Sequence, residues 1–457
     1  MNERVTIEGR WWVFGKDQSP EFGILTYEPS SGLELSVKIA RQHNWSEVFQ
    51  SHTEPGVEIP GTIMGRDKND HPVSLYGCSA PGTSSSVGLR TIQIRPMVAL
   101  SGREFDSWPA TEFNHIHAEF TLLHHWMGDN RLKVGLGNGK EPSVAIEHRY
   151  QIEAEISGDA KLVIWPTFGY QHDADGVRLQ VGHGVEFRLI EKKPVKDMLA
   201  KYVHSFRRLL TLFAGVPVFV EKVYFYPGDD LSPREAALFF SNPGVADADR
   251  KRHHQQMPVS YHDIRERFSD VIQKWYDLEG GLSDVLNLYF ATIFNRSLYT
   301  NQQFLFLAQA LEVYHRTSTR FENNVQPKAD FKKRKKRIVE LVPDEGDWLN
   351  EKLGHANEKT LAQRLKDLLA IHGAETAAFI PDVTAFADSV RHTRNHFTHY
   401  GTDEENMAKV ASGVDLMSLT DRMQTLLEIC IFKDLGIIGE PINRLIRNLK
   451  GRSYHSI

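Results

Sequence analysis

Over the first two hundred residues, apolar side chains recur at every second position. Leu33, Leu35, Val37 and Ile39 alternate with Glu34, Ser36 and Lys38, the period of a strand with one face in water. Trp11-Trp12-Val13-Phe14 and Gly23-Ile24-Leu25-Thr26-Tyr27 read as earlier strands, separated by turns over 15–20 and 29–32. Further strands are expected over 61–64, 73–78, 91–100, 113–124, 131–136, 144–156, 160–165 and 177–190. Turn residues punctuate them at Asp67 to Asp70, Pro81-Gly82, Gly137-Asn138-Gly139 and Ser157-Gly158-Asp159. Many short strands with frequent turns predict a sandwich or barrel.

The period changes near Pro194. Met198, Leu199, Tyr202, Val203, Phe206, Leu209, Leu210 and Leu212 form an apolar stripe over 195–214, as on a helix packed by one face. A strand-like stretch over 216–226 and a loop over 227–256 follow. From Tyr261 onward the pattern is helical, with segments over 264–278, 283–294, 301–317, 331–340, 361–372, 381–396, 415–434 and 440–450. Short connections predict antiparallel neighbours, as in a bundle. The expected class is α+β: a β-rich, sandwich-like domain over 1–194, a mixed connecting region over 195–260, and an all-α bundle over 261–457.

Composition narrows the class. The 457 residues are 41% hydrophobic and 25% charged, with a net charge of −5. These are ordinary globular values, and the balance argues against a protein that coats nucleic acid nonspecifically, while leaving room for local basic sites. Cys78 and Cys430 suggest neither a disulfide framework nor a zinc ribbon. No apolar run has signal-peptide or membrane-spanning length, so cytoplasmic residence without a membrane partner is the expectation.

The densest reactive cluster is Arg391-His392-Thr393-Arg394-Asn395-His396-Phe397-Thr398-His399-Tyr400. It carries three readings. His392, His396 and His399 share one helical face and could ligate zinc, although Arg391 and Arg394 beside them disfavour a dication. The stretch could instead be a polar surface. Third, Arg394 and His399 supply a guanidinium and an imidazole five residues apart, roughly 140° round a helix. Cutting RNA without metal requires a base for the 2′-hydroxyl proton and a cation for the charge growing on phosphate. Histidine titrates near working pH and arginine binds two phosphate oxygens at once. Asn395 and His399 are i, i+4 neighbours. No cofactor is expected for this chemistry.

The stretch Arg394-Asn395-His396-Phe397-Thr398-His399 resembles the R-x-x-x-x-H signature of HEPN domains. Ala310-Leu311-Glu312-Val313-Tyr314-His315-Arg316 and Leu361-Ala362-Gln363-Arg364-Leu365-Lys366-Asp367-Leu368 are similar to the first and middle helices of the HEPN domain of the ApeA family. The segments Trp11 to Phe14 and Gly23 to Tyr27 resemble that family's N-terminal domain. The resemblance implies a C-terminal HEPN bundle that cleaves RNA, controlled by an N-terminal sensing module in antiphage defence by abortive infection. It implies a homodimer or higher homo-oligomer with composite sites, 2′,3′-cyclic phosphate products, transfer RNA as a target and a phage-derived trigger. It places catalysis on Arg394 and His399, with Asn395 in support. Glu312 is a weaker transfer, equally readable as an ion-pair partner of Arg316.

Two basic segments could hold the substrate. Lys332-Lys333-Arg334-Lys335-Lys336-Arg337 sets six cations in a row, which could equally be a solvated helix face. Arg444, Arg447, Lys450 and Arg452 form the second. Gly137-Asn138-Gly139 lacks the Lys-Ser/Thr of a phosphate loop and reads as a hairpin. His124-His125 reads as a strand edge.

Overall fold

The computed structural model describes residues 4–14, 20–40, 62–86, 89–102, 111–128, 132–135, 143–146, 151–173, 176–226, 236–241, 252–295, 297–399 and 408–452. The chain divides into two compact units, Met1–Tyr276 and Asp277–Ile457. A large antiparallel sheet region comes first and a helical region second, the α+β order read from the change of period.

The strands of the first unit are β1 (Val5–Val13), β2 (Glu21–Glu28), β3 (Gly32–Ala40), β4 (Ile63–Asp67), β5 (Pro72–Tyr76), β6 (Ser79–Ser86), β7 (Leu89–Arg95), β8 (Val98–Ser101), β9 (Glu112–Phe120), β10 (Leu132–Gly135), β11 (Ser143–Ile146), β12 (Ile152–Ile156), β13 (Ala160–Asp173), β14 (Gly176–Pro194), β15 (Val220–Tyr226) and β16 (Ala236–Phe240). Among the described residues, fourteen form one hydrogen-bonded sheet in the order β12-β13-β14-β9-β15-β16-β8-β5-β4-β1-β2-β3-β7-β6. Strands β10 and β11 pair antiparallel on either side of Gly137-Asn138-Gly139; those three residues themselves lie outside the described set. The segment 91–100, expected as one strand, is two. Pro96 cannot donate to a ladder, and β7 and β8 pair with different neighbours.

Alternation decides the core. Leu33, Leu35 and Val37 are buried together with Trp11, Leu25, Ile63, Val73, Leu75, Ile92, Ile94 and Ala99, while Glu34 and Ser36 fall on the opposite face. The sheet curls until Tyr27 of β2 meets Phe239 of β16, ring centroids 5.2 Å apart. These strands therefore enclose one apolar interior. Trp11 fills it and donates its indole N–H to the Gly23 carbonyl at 3.1 Å. A Cβ at Gly65 would lie 2.3 Å from the Trp11 ring, so only glycine fits opposite that indole.

Helical residues 195–214, with a π-helical segment Leu199–His204 in the middle, cover the other end of the sheet. Phe206 packs on Phe120 and Phe187, and Tyr202 on Phe187. His124 and His125 lie in a short helix, Leu123–Met127, rather than on a strand edge. There Leu123, Trp126 and Met127 are buried at helical spacing, and Trp126 donates to the Val259 carbonyl at 3.0 Å.

The opposite face of β9 is polar. By register Glu119 stands between Gly184 of β14 and Lys222 of β15. Burial alone would raise its carboxyl. The Lys222 ammonium, hydrogen-bonded to it at 2.6 Å, and the His117 ring 3.9 Å away outweigh burial and hold it at about 2. Because the folded-state value lies below the ordinary one, the stabilisation is present above about pH 4.5 and is lost as pH falls towards 2. Glu119→Gln is expected to cost about 2–3 kcal/mol at pH 7. Urea unfolding of both chains at pH 7, 5 and 3 checks it: the gap should shrink with acid, and a pH-independent gap would contradict the assignment.

Candidate active site in the helical unit

The signature lies on one helix, Val383–His399. Pro381 precedes it, and Asp382 caps its first turn by accepting from the Ala385 amide at 2.9 Å. The sequence pattern ended this helix at 396; it continues through His399, so the signature is helical throughout. Phe386, Ala387, Val390 and Thr393 form the buried face, and Phe397 meets Phe304 edge-on with centroids 6.0 Å apart. Thr393 is fully buried and its hydroxyl accepts from the Ala411 amide at 2.9 Å.

Arg394 stands at the margin of that face, its side chain 40% exposed. Its Nη2 lies 3.9 Å from Glu312 Oε2 on the helix Thr300–Thr317. Its Nη1 lies 3.4 Å from Asn395 Oδ1. Glu312 also accepts from Arg316 at 3.0 Å, one turn on. The ion pair with Arg316 is therefore present, and the same carboxylate also faces Arg394. His399 is exposed at the last turn. Among the described residues it has no hydrogen-bond partner, and the structure does not join it to Arg394 within the chain. His392 is contacted by Arg391 at 3.0 Å; partial burial and then the Arg391 charge lower its pKa. Among the described residues no group of three or more His, Cys, Asp or Glu is arranged to hold a metal.

A polar network joins the helices Thr300–Thr317 and Leu361–Ile371. His315, fully buried, contacts Asp367 through Nε2 at 2.8 Å and Arg364 Nη1 through Nδ1 at 3.0 Å. A guanidinium cannot accept, so Nδ1 does, and Nε2–H donates to Asp367: the imidazole is neutral. Burial lowers the His315 pKa, in keeping with that form. Lys359 reaches Asp367 at 2.6 Å, and Arg364 also donates to Asn323 Oδ1 at 2.7 Å. Sequence reading gave Arg364 and His315 no role. A signal was present: Arg364 falls in the apolar stripe of Leu361, Leu365 and Leu368, where a charge needs a reason.

The run Lys332 to Arg337 lies on the helix Lys328–Leu341, which has no buried residue. Among the described residues no hydrogen bond or ion pair links it to the signature helix. At the C-terminus of the chain Arg447 pairs with Glu440 at 2.5 Å. A cleft of about 520 Å³ opens at the end of the signature helix, lined by His396, Phe397, Thr300, Asn301, Leu416 and Met417 among others. No described helix is long and apolar enough to cross a membrane.

Comparison with known proteins bears on what this arrangement is. The family model ApeA N-terminal domain 1 matches residues 6–275, and Apea-like HEPN matches residues 305–440. No curated protein and no solved structure matches significantly. HEPN domains are in general a ribonuclease fold that binds RNA and dimerises, and the pairing with an ApeA N-terminal domain points to antiphage defence with a ribonuclease-type module. With its first model covering more than half the residues and its second enclosing the Arg394–His399 helix, the chain belongs to the ApeA family.

Proposed function

We propose that the chain is a metal-independent endoribonuclease of antiphage defence, acting by abortive infection as a cytoplasmic homodimer with transfer RNA as its target. The observation that carries this is the motif helix: Arg394 is paired with Glu312 at 3.9 Å while His399 stands exposed on the same helix. His399 takes the proton of a 2′-hydroxyl. The freed O2′ bonds to the adjacent phosphorus as the P–O5′ bond breaks, leaving a 2′,3′-cyclic phosphate. The departing O5′ takes a proton and becomes a 5′-hydroxyl. Arg394 carries the charge that grows on the phosphate oxygens, and Asn395 helps aim it. Roughly 140° separate Arg394 and His399 on their helix, so two copies meeting at this face supply the pair that one copy holds apart. The sheet unit is the sensing module, answering to a phage-derived trigger.

The test is cleavage of total bacterial transfer RNA by the full chain in EDTA, alone and in extract of infected cells. Fragments ending in 2′,3′-cyclic phosphate and 5′-hydroxyl are expected. Cutting that needs added magnesium, or none in either condition, would overturn the reading. A non-catalytic RNA- or ligand-binding dimerisation module is the second reading, favoured by one observation: no described residue orients His399.

A further inference from the structure

The segment between the helices of Glu312 and Arg364 is built as an arm. Two short stretches clasp its root. Val325 N donates to the Asn357 carbonyl at 2.8 Å, Gln326 N to Asn357 Oδ1 at 3.1 Å, and Asn357 Nδ2 to the Gln326 carbonyl at 2.9 Å. Lys359 N closes the pair on the Asn323 carbonyl at 3.0 Å. Out of this clasp come the helices Lys328–Leu341 and Gly346–Lys352, which pack on each other. Neither has a buried residue. A helix pair with no fully buried residue, Phe331, Ile338, Val339 and Leu349 being half-buried, gains little from folding against the body and leaves most of its surface to solvent.

That surface has a definite chemistry. Lys328–Leu341 carries seven Lys or Arg against two Asp or Glu, in a chain whose net charge is −5. Lys335 is engaged with the Asn350 carbonyl at 3.0 Å and Lys336 lies 3.7 Å from Glu340. Lys332, Lys333, Arg334 and Arg337 have no partner among the described residues. Trp348, on the second helix, is 56% exposed. Cations without counter-charges beside an exposed indole match a strand of phosphates carrying stackable bases.

We propose that the arm, residues 327–356, is an RNA grip: Lys332, Lys333, Arg334 and Arg337 bind phosphates of the substrate and Trp348 stacks on an unpaired base. The proposal rests on the reading of RNA as the substrate. The root of the arm explains how grip and cleavage site keep register. Asn323, in the clasp, donates to the Arg316 carbonyl at 2.9 Å and accepts from Arg364 at 2.7 Å. Arg316 shares Glu312 with Arg394. Hydrogen bonds from the clasp to Arg316 and from Arg316 to Glu312, and then the 3.9 Å ion pair of Glu312 with Arg394, connect the root of the arm to Arg394.

The experiment measures binding, not cleavage, so its failure is separate from that of the ribonuclease reading. The full chain bearing His399→Ala is titrated with fluorescein-labelled total transfer RNA at several salt concentrations. Adding Lys332→Gln, Lys333→Gln, Arg334→Gln and Arg337→Gln together should raise Kd at least about tenfold. It should also reduce the slope of log Kd against log salt by about 2–4, close to one for each phosphate no longer neutralised. Trp348→Ala alone should weaken binding about fivefold or more with the slope unchanged, as loss of one stacked base does. All five positions are exposed, so unchanged thermal unfolding is expected and is the control. Unchanged Kd and slope in the fourfold variant would overturn the proposal. So would no binding by the parent chain, or loss of self-association in sedimentation with RNA binding intact, which would make the arm a surface between copies.

Discussion

His399→Ala is expected to reduce cleavage of transfer RNA by about 10²–10⁴-fold, the usual worth of a positioned general base. Arg394→Ala should cost about 10²–10³-fold through loss of charge stabilisation at the phosphate. Both residues are exposed or half-exposed, so neither change should disturb folding, and RNA binding should survive both. Arg394→Lys keeps the charge but loses the flat two-pronged donor, and should recover only part of the activity. Glu312→Gln tests how Arg394 is held. It leaves both proposed catalytic groups in place and should lower activity less than either alanine change. Single-turnover cleavage with purified chains, in EDTA, reads all four. Activity retained in both alanine variants would remove the chemistry from this helix altogether.

The largest expected effect on stability is at Arg364. Its side chain is 1% exposed and bonds His315 and Asn323. Its charge is lodged near Glu312, Glu358 and Asp367 as well as Arg316. Arg364→Ala would strand His315 Nδ1 and Asn323 Oδ1 without a donor and leave a cavity. Breaking a buried charged network from one side costs about 3–5 kcal/mol. For a helical unit of this size that is a fall of about 6–20 °C in Tm. The clasp of the arm should loosen too, because Asn323 loses the donor that ties it to the body. Thermal unfolding followed by far-ultraviolet circular dichroism checks the first effect. A change under about 1 kcal/mol would mean that water replaces the guanidinium without loss. Arg364→Lys should be nearly as damaging, since one ammonium cannot reach both acceptors from a buried stem.

The elements themselves were legible where one face meets the core and the other meets water. The alternation of Leu33, Leu35 and Val37 with Glu34 and Ser36 marked β3, and the stripe from Met198 to Leu212 marked the helix that covers the sheet. The helical spacing over 381–396 marked the signature helix. Where local and long-range demands part, reading along the chain went astray. Pro96 splits a continuous apolar run into two strands with different neighbours. His124 and His125 read as strand because the residues before them are strand, yet burial of Leu123, Trp126 and Met127 is better served by a helical turn.

The candidate site divides in the same way. Arg394, Asn395 and His399 were visible in the sequence because their spacing is a local property, fixed by the geometry of a single helix. The holding of Arg394 by Glu312, the neutral His315 between Arg364 and Asp367, and the clasp that Asn357 makes at the root of the basic arm were not. Each depends on which helices lie side by side. The kinds of element, their succession, the α+β class and the spacing of the candidate residues on one helix followed from amino-acid order, because hydrophobic period and backbone geometry act between near neighbours on the chain. The arrangement of the fourteen strands, the burial of Arg364 and the partners of Arg394 came from packing in three dimensions. A buried charge or an unpaired strand edge must find its complement in space, and distance along the chain does not say where that complement lies.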